Sequence, residues 1–144
     1  MTIQTYEDHG VRFQYPLDWE LEETEDGDAT TIEVQDPGGL GFALVRTDES
    51  CPDPAGVADE VLEAMRVEYP ELDVTPALES RNGHHATGYD IAFFSLDITN
   101  AAAIRSYRTE SRTVLLFGQW SDMGDDELPA MIRRVLLSVE EVED

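Results

Sequence analysis

At 144 residues the chain fits one domain, and a domain of this size buries about 70% of the surface its unfolded chain exposes. Nine basic residues stand against 32 acidic ones, a formal net charge of −23, and every base is an arginine. That balance repels phosphate backbones and anionic lipid, which excludes nucleic acid and membrane surfaces as partners.

One cysteine leaves no disulfide framework and no cysteine-based zinc site. The opening MTIQTYEDHG has neither a basic patch nor an apolar run, so no signal peptide is predicted. No stretch approaches the roughly eighteen apolar residues of a spanning helix. The expected location is the cytoplasm.

The acidity has two physical readings. It is a field that attracts cations or a basic partner, or it is a solubility adaptation to molar salt, where a Debye length of about 3 Å makes self-repulsion cheap. The acids are spread along the chain in EETEDGD, DES, ADEVLE, DDE and EEVED, whereas a docking tail gathers them at one end. Dispersed acid without lysine resembles proteins of salt-accumulating halophiles, so the charge reads as habitat.

Taken in order, the first third alternates with a period of two. Val11, Phe13 and Tyr15 oppose Arg12 and Gln14; Trp19 and Leu21 alternate with Glu20 and Glu22; Ile32 and Val34 alternate with Thr31, Glu33 and Gln35. These are half-buried antiparallel strands, separated by the turn residues of YPLDW, EDGD and DPGG, with a further strand over Phe42 to Val45. DPAGVADEVLEAMRVEYP predicts a helix capped by Asp53, started by Pro54 and stopped by Pro70. Its buried face is Ala58, Val61, Leu62, Met65 and Tyr69.

Asn82-Gly83 between extended runs predicts a type I′ hairpin, because both central residues need positive φ. The strand leaving it puts Tyr89, Ile91 and Phe93 on one face and Ala92, Phe94, Leu96 and Ile98 on the other. TVLLFGQW is likewise apolar on both faces, and both strands read as buried on two sides. Ala102 to Arg108 supply the strand between them, completing a meander. A second helix is predicted over about residues 123 to 140, capped by Asp122, with Asp125, Asp126 and Glu127 at its positive end and Leu128, Ile132, Val135, Leu136 and Val139 as its stripe. The economical assembly is an α+β layered domain, an antiparallel β-sheet meander with helices packed on its faces.

A short strand, then F-x-Y-P-x-x-W into a second strand, a mid-chain helix, the NGHHATGYDI hairpin, a meander and a C-terminal helix ending in LLSVEE together resemble the PsbP-like superfamily. Phe13, Tyr15, Pro16, Trp19 and Gly83 carry that resemblance, and they are core or turn positions. It implies an α-β-α sandwich over residues 1–144 whose members bind proteins or assist assembly. It implies no active site.

The chemistry-bearing residues read plainly. His84 and His85 are adjacent on a strand, point to opposite faces and cannot together ligate one metal, so they flank a hairpin. His9 sits alone in a turn. EETEDGDAT has calcium-like ligands but not the spacing of an EF-hand loop, and Gly27 there makes a hairpin turn. Cys51 precedes a helix, with Asp48, Glu49 and Asp53 opposing its ionisation; it packs or idles. Trp19 and Trp120 fall in phase with core positions. Arg105, Arg108 and Arg112 read as partners of local carboxylates. No G-x-S-x-G, P-loop, H-E-x-x-H or G-x-G-x-x-G motif occurs. The sequence therefore yields no catalytic, cofactor-binding or metal-ligating set and no cofactor. The expected function is a non-enzymatic interaction or assembly module with a protein partner; the alternative is a calcium-binding protein using acidic turn loops.

Overall fold

A computed structural model of the chain describes residues 2–142. The N-terminal hairpin pairs β1 (Ile3–Asp8) with β2 (Val11–Pro16). Its turn holds His9 at φ 50° and Gly10 at φ 80°, so both central residues are left-handed. Next come β3 (Glu20–Asp26), β4 (Ala29–Gln35) and β5 (Gly41–Asp48), then α1 (Pro54–Glu68). Four long strands follow: β6 (Leu72–Arg81), β7 (His84–Ser95), β8 (Ile98–Arg108) and β9 (Thr113–Ser121). The chain ends with α2 (Leu128–Leu137) and the short β10 (Glu140–Glu141).

Two meanders, β3-β4-β5 and β6-β7-β8-β9, join through antiparallel β5–β9 pairing into a seven-stranded sheet of order β3-β4-β5-β9-β8-β7-β6. A second, three-stranded sheet of order β1-β2-β10 packs with α2 over one face of it. Helix α1 covers the other face, over β7, β8 and β9. The result is the α+β sandwich that the residue pattern and the PsbP-like resemblance led one to expect.

Each face has its own core. Ile91, Phe93, Ala102, Ile104 and Leu115 meet Ala58, Leu62 and Met65 of α1. On the opposite face Ile32, Val34, Val114, Leu116 and Trp120 meet Phe13 of β2 and Ile132, Val135 and Leu136 of α2. Glycines let α2 lie close: a Cβ on Gly118 would stand 2.7 Å from Ile132 Cγ2 and one on Gly41 would stand 2.7 Å from Ile132 Cδ1. Asp53 caps α1 by accepting from the Gly56 N–H at 3.1 Å. Asn82 (φ 51°) and Gly83 (φ 82°) make the left-handed pair of the β6–β7 hairpin.

Two expectations need correction. The second helix does not begin near residue 123, nor does Asp122 cap it; Glu127 stands at the N-cap, without a side-chain cap bond. Pro129 would fall deep inside the longer helix and break it, whereas in the first turn its missing N–H is harmless. Residues 122–127 turn instead, with the Asp125 carboxylate accepting from the Glu127 N–H at 2.9 Å. The stripe is as expected, with Val139 buried beyond the helix end. The second correction concerns β7. Leu96 (φ 54°) and Asp97 (φ 63°) turn the chain, so β7 ends at Ser95. Its buried face switches along the strand, from Ala86 in the core beneath α2 to Ile91 and Phe93 beneath α1, and Phe94 is 75% exposed because α2 lies on β5 and β9 and does not reach it. Strand β9, between the two helices, is buried on both faces.

Both edges of the large sheet resist strand addition. Strand β3 (ELEETED) carries five acids, and β6 carries Pro76 at its middle.

Candidate functional site

Helix α1 leaves part of its sheet face bare. Beside it, over β4, β5 and β9, runs a groove of about 720 Å³. Leu44, Leu115 and Phe117 floor it and Val57, Val61 and Ala64 of α1 wall it. The register explains the floor: Leu44 pairs with Phe117 and Arg46 with Leu115, and Phe42 packs edge-on to Phe117 at 5.5 Å. Asp48, Asp53 and Glu60 rim the groove against the single cation Arg46. Glu33 lies opposite Leu44 on the same open face. Burial, then the neighbouring Glu22, pushes its carboxyl above the usual value, and among the described residues no cation pairs with it. The groove is thus apolar at its floor and anionic at its rim.

A second site lies at the opposite face, where the β1–β2 turn overhangs the end of β3. His9 Nε2 stands 3.4 Å from a Glu23 oxygen, 3.3 Å from a Glu25 oxygen and 3.9 Å from an Asp8 oxygen. Ligand atoms of Asp8, His9 and Glu23 all lie within 4.8 Å of one another. Glu23 and Glu25 reach this place because period two puts them on the inner face of β3 with Leu21. The Tyr6 hydroxyl donates to Glu23; burial first, and then that bond, drives the phenol far above its ordinary pKa. A cavity of about 340 Å³ opens beside His9, lined by Asp8, Glu25, Asp28 and Glu49 and floored by Thr30 and Thr47.

The turn bearing His9 is held from behind. Arg112, 5% exposed, donates to the His9 carbonyl at 2.6 Å and to the Glu141 carboxylate at 3.1 Å. Burial raises the Glu141 pKa, but hydroxyl bonds from Thr109 and Ser111 and the Arg112 charge outweigh that and hold it below the usual range. The Val142 N–H closes the link by donating to the Gly10 carbonyl at 2.9 Å. A side chain at Gly10 would run into the Arg112 guanidinium.

The other singled-out residues fall as follows. Trp19 and Trp120 are 8% and 6% exposed, in the core. Arg105 pairs with Glu79 and Asp90, and Arg112 with Glu141, as expected; Arg108 has no ion pair among the described residues. His85 is exposed, and His84 stacks on Tyr107 at 5.7 Å. Gly27 (φ 61°) turns the β3–β4 hairpin. Cys51 is half-buried at φ 56°, its thiol 3.7 Å from the Glu49 carbonyl. His9 lies in the expected turn, before β2, but it is not alone there. It stands among three carboxylates, two of them from a strand of the other sheet, and nothing in local spacing could reveal that. Among the described residues no helix is long and apolar enough to cross a membrane.

No family model matches the chain, and no curated protein does. Solved structures share its fold. Cyanobacterial PsbP (CyanoP) of Synechocystis superposes with TM-score 0.68 at 12% identity, over 97% of this chain and 92% of that one. LpqN of Mycobacterium tuberculosis, involved in cell envelope biogenesis, gives 0.58 at 16% identity, over 98% and 92%. A Bacteroides thetaiotaomicron protein gives 0.61 at 11% identity over 94% of this chain, which spans only 46% of that protein. Identities this low establish fold alone, and the fold of this chain is PsbP-like.

Proposed function

We propose that residues 1–144 act as one non-catalytic module for protein interaction or assembly, in the cytoplasm of a salt-adapted cell. The carrying observation is the groove beside α1, an apolar floor of Leu44, Leu115 and Phe117 under a rim where Asp48, Asp53 and Glu60 outnumber Arg46. Its occupant is a segment of another protein that presents apolar side chains and at least one basic residue. The basic group meets the rim and the unpaired Glu33; the apolar groups cover surface that α1 leaves bare. The PsbP-like fold supports the reading by analogy.

Strand addition is a poorer mode, since β3 repels by charge and β6 is interrupted by proline. In molar salt the electrostatic share is screened, so affinity rests mainly on the apolar floor. Paired pull-downs in multimolar KCl test this, with wild type and Val61→Arg as baits. A protein retained by wild type and lost with Val61→Arg, a change opposed to an apolar, cationic guest, supports the proposal. Identical retention by both baits overturns it.

A further inference from the structure

We propose that Asp8, His9, Glu23 and Glu25 form a binding site for one first-row transition-metal dication of the zinc class, bridging the small sheet to the edge strand of the large one.

The donor set gives the class. Imidazole with carboxylates suits zinc and its neighbours, whereas calcium takes six to eight oxygens and leaves a histidine unused. The spacing agrees. Bonds of about 2.0–2.1 Å at tetrahedral angles separate two zinc ligands by about 3.3 Å. His9 Nε2 already stands 3.3 Å from Glu25, 3.4 Å from Glu23 and 3.9 Å from Asp8, so small rotations admit the ion.

Carboxylates clustered on an acidic surface are not a site in themselves. Here independent features point to a ligand. The cavity beside His9 is floored by Thr30 and Thr47, which are 8% and 2% exposed. Neither hydroxyl has a hydrogen-bond partner among the described residues, and both side chains line the cavity, so their open donors and acceptors are left to whatever fills it. A water in that cavity would satisfy both and could join the four side chains as a fifth ligand. The outer shell is also in place. Tyr6 holds Glu23 through its hydroxyl, and Arg112 fixes the His9 backbone from behind. The ligands come from two sheets that meet only on folding, so binding favours the folded chain.

The test is calorimetry on the full chain with Zn²⁺, in enough KCl to screen diffuse binding by the 32 acids. Wild type is expected to take one Zn²⁺ per chain in a saturable step. His9→Asn, chosen because asparagine tolerates the left-handed φ of 50°, and Glu23→Gln should each abolish that step. Tyr6→Phe should weaken it roughly tenfold. Ca²⁺ should show no matching step. Three results overturn the inference: no saturable Zn²⁺ step, a step unchanged in His9→Asn or Glu23→Gln, or Ca²⁺ binding as tightly as Zn²⁺ at the same residues. Circular dichroism checks that the variants are folded; if His9→Asn is not, Glu23→Gln on the exposed edge strand decides alone. None of these outcomes bears on the groove at the opposite face.

Discussion

Replacing Arg112 by methionine should detach the small sheet's turn from the large sheet, because this side chain ties three segments at one point. Methionine retains the aliphatic stem and fills most of the volume, so the loss is polar. Among the described residues its side chain loses bonds to the His9 carbonyl at 2.6 Å, the Glu141 carboxylate at 3.1 Å and the Ser111 hydroxyl at 3.3 Å. Removing one partner of a buried pair costs ~3–5 kcal/mol. Glu141 moderates that figure: its side chain is 35% exposed, and it keeps bonds from Thr109 at 2.7 Å and Ser111 at 2.8 Å. The His9 carbonyl faces the turn and can recover water. A loss of about 3 kcal/mol results, and at roughly 3–4 °C per kcal/mol for a domain of this size the melting temperature falls by about 10 °C. Glu141→Gln keeps an acceptor for both hydroxyls and removes only charge, so it should cost about 1 kcal/mol. The pH dependence carries a sign. Glu141 has a folded pKa below its ordinary 4.5, so its contribution is fully present above that value and is lost as pH falls through the depressed pKa. Wild type and Glu141→Gln should therefore converge at low pH. Chemical denaturation by circular dichroism, from pH 7 to pH 3, measures all of this. A cost below about 1 kcal/mol for Arg112→Met refutes the anchoring role, as does a wild-type to Glu141→Gln gap that persists at the lowest pH.

Other perturbations test other parts. A Cβ on Gly88 would collide with the Ile104 carbonyl on the neighbouring strand, whereas one on Gly118 meets the Ile132 and Leu136 side chains. Gly88→Ala should thus destabilise more than Gly118→Ala, whose overpacking costs roughly 1–3 kcal/mol; denaturation midpoints give the order. The Ser106 hydroxyl is fully buried without a partner, so Ser106→Ala should be neutral or stabilising by about 1 kcal/mol, and a clear loss would contradict that account. Glu33 has a raised folded pKa, so its ionisation opposes folding above that pKa and has no effect below the ordinary 4.5. Glu33→Gln should therefore raise the melting temperature at pH 7 and leave it unchanged at pH 4. If the −23 charge is habitat, the melting temperature should climb steadily from dilute to multimolar KCl; a flat response would tie the acids to function instead.

What was legible in the sequence is what a local period encodes. Val11, Phe13 and Tyr15 announce a one-sided strand, and Leu115 and Phe117 opposite Val114 and Leu116 announce a two-sided one; both are found. Asp53 with Pro54 and Asn82 with Gly83 each state a backbone geometry within two residues, and the chain obeys them. The misjudged places are those where long-range packing decides. Ala92 and Phe94 look like a second buried face, yet no helix arrives to bury them. Pro129 carried the true start of α2, and the acids before it offered a misleading cap. His9 and Glu23 are distant in sequence and belong to different sheets, so no motif could show them meeting.

The sheet edges also bear on where the proposed guest would dock. Five of the 32 acids lie on β3 alone and close that edge of the large sheet to another strand. Proline closes the other edge. Apolar surface then stays accessible beside α1, which packs over β7, β8 and β9 and leaves β4 and β5 unroofed along its Val57, Val61 and Ala64 edge. Lengthening that helix wall is consequently the sharpest probe of the groove. Ala64→Leu adds an apolar side chain next to the Leu44 and Phe117 floor without adding charge. It should hold or raise stability by filling the groove from within, while it displaces any guest that Val61→Arg repels. A guest lost with Val61→Arg but retained with Ala64→Leu would be recognised by rim charge rather than by shape, and the apolar floor would lose its part in recognition.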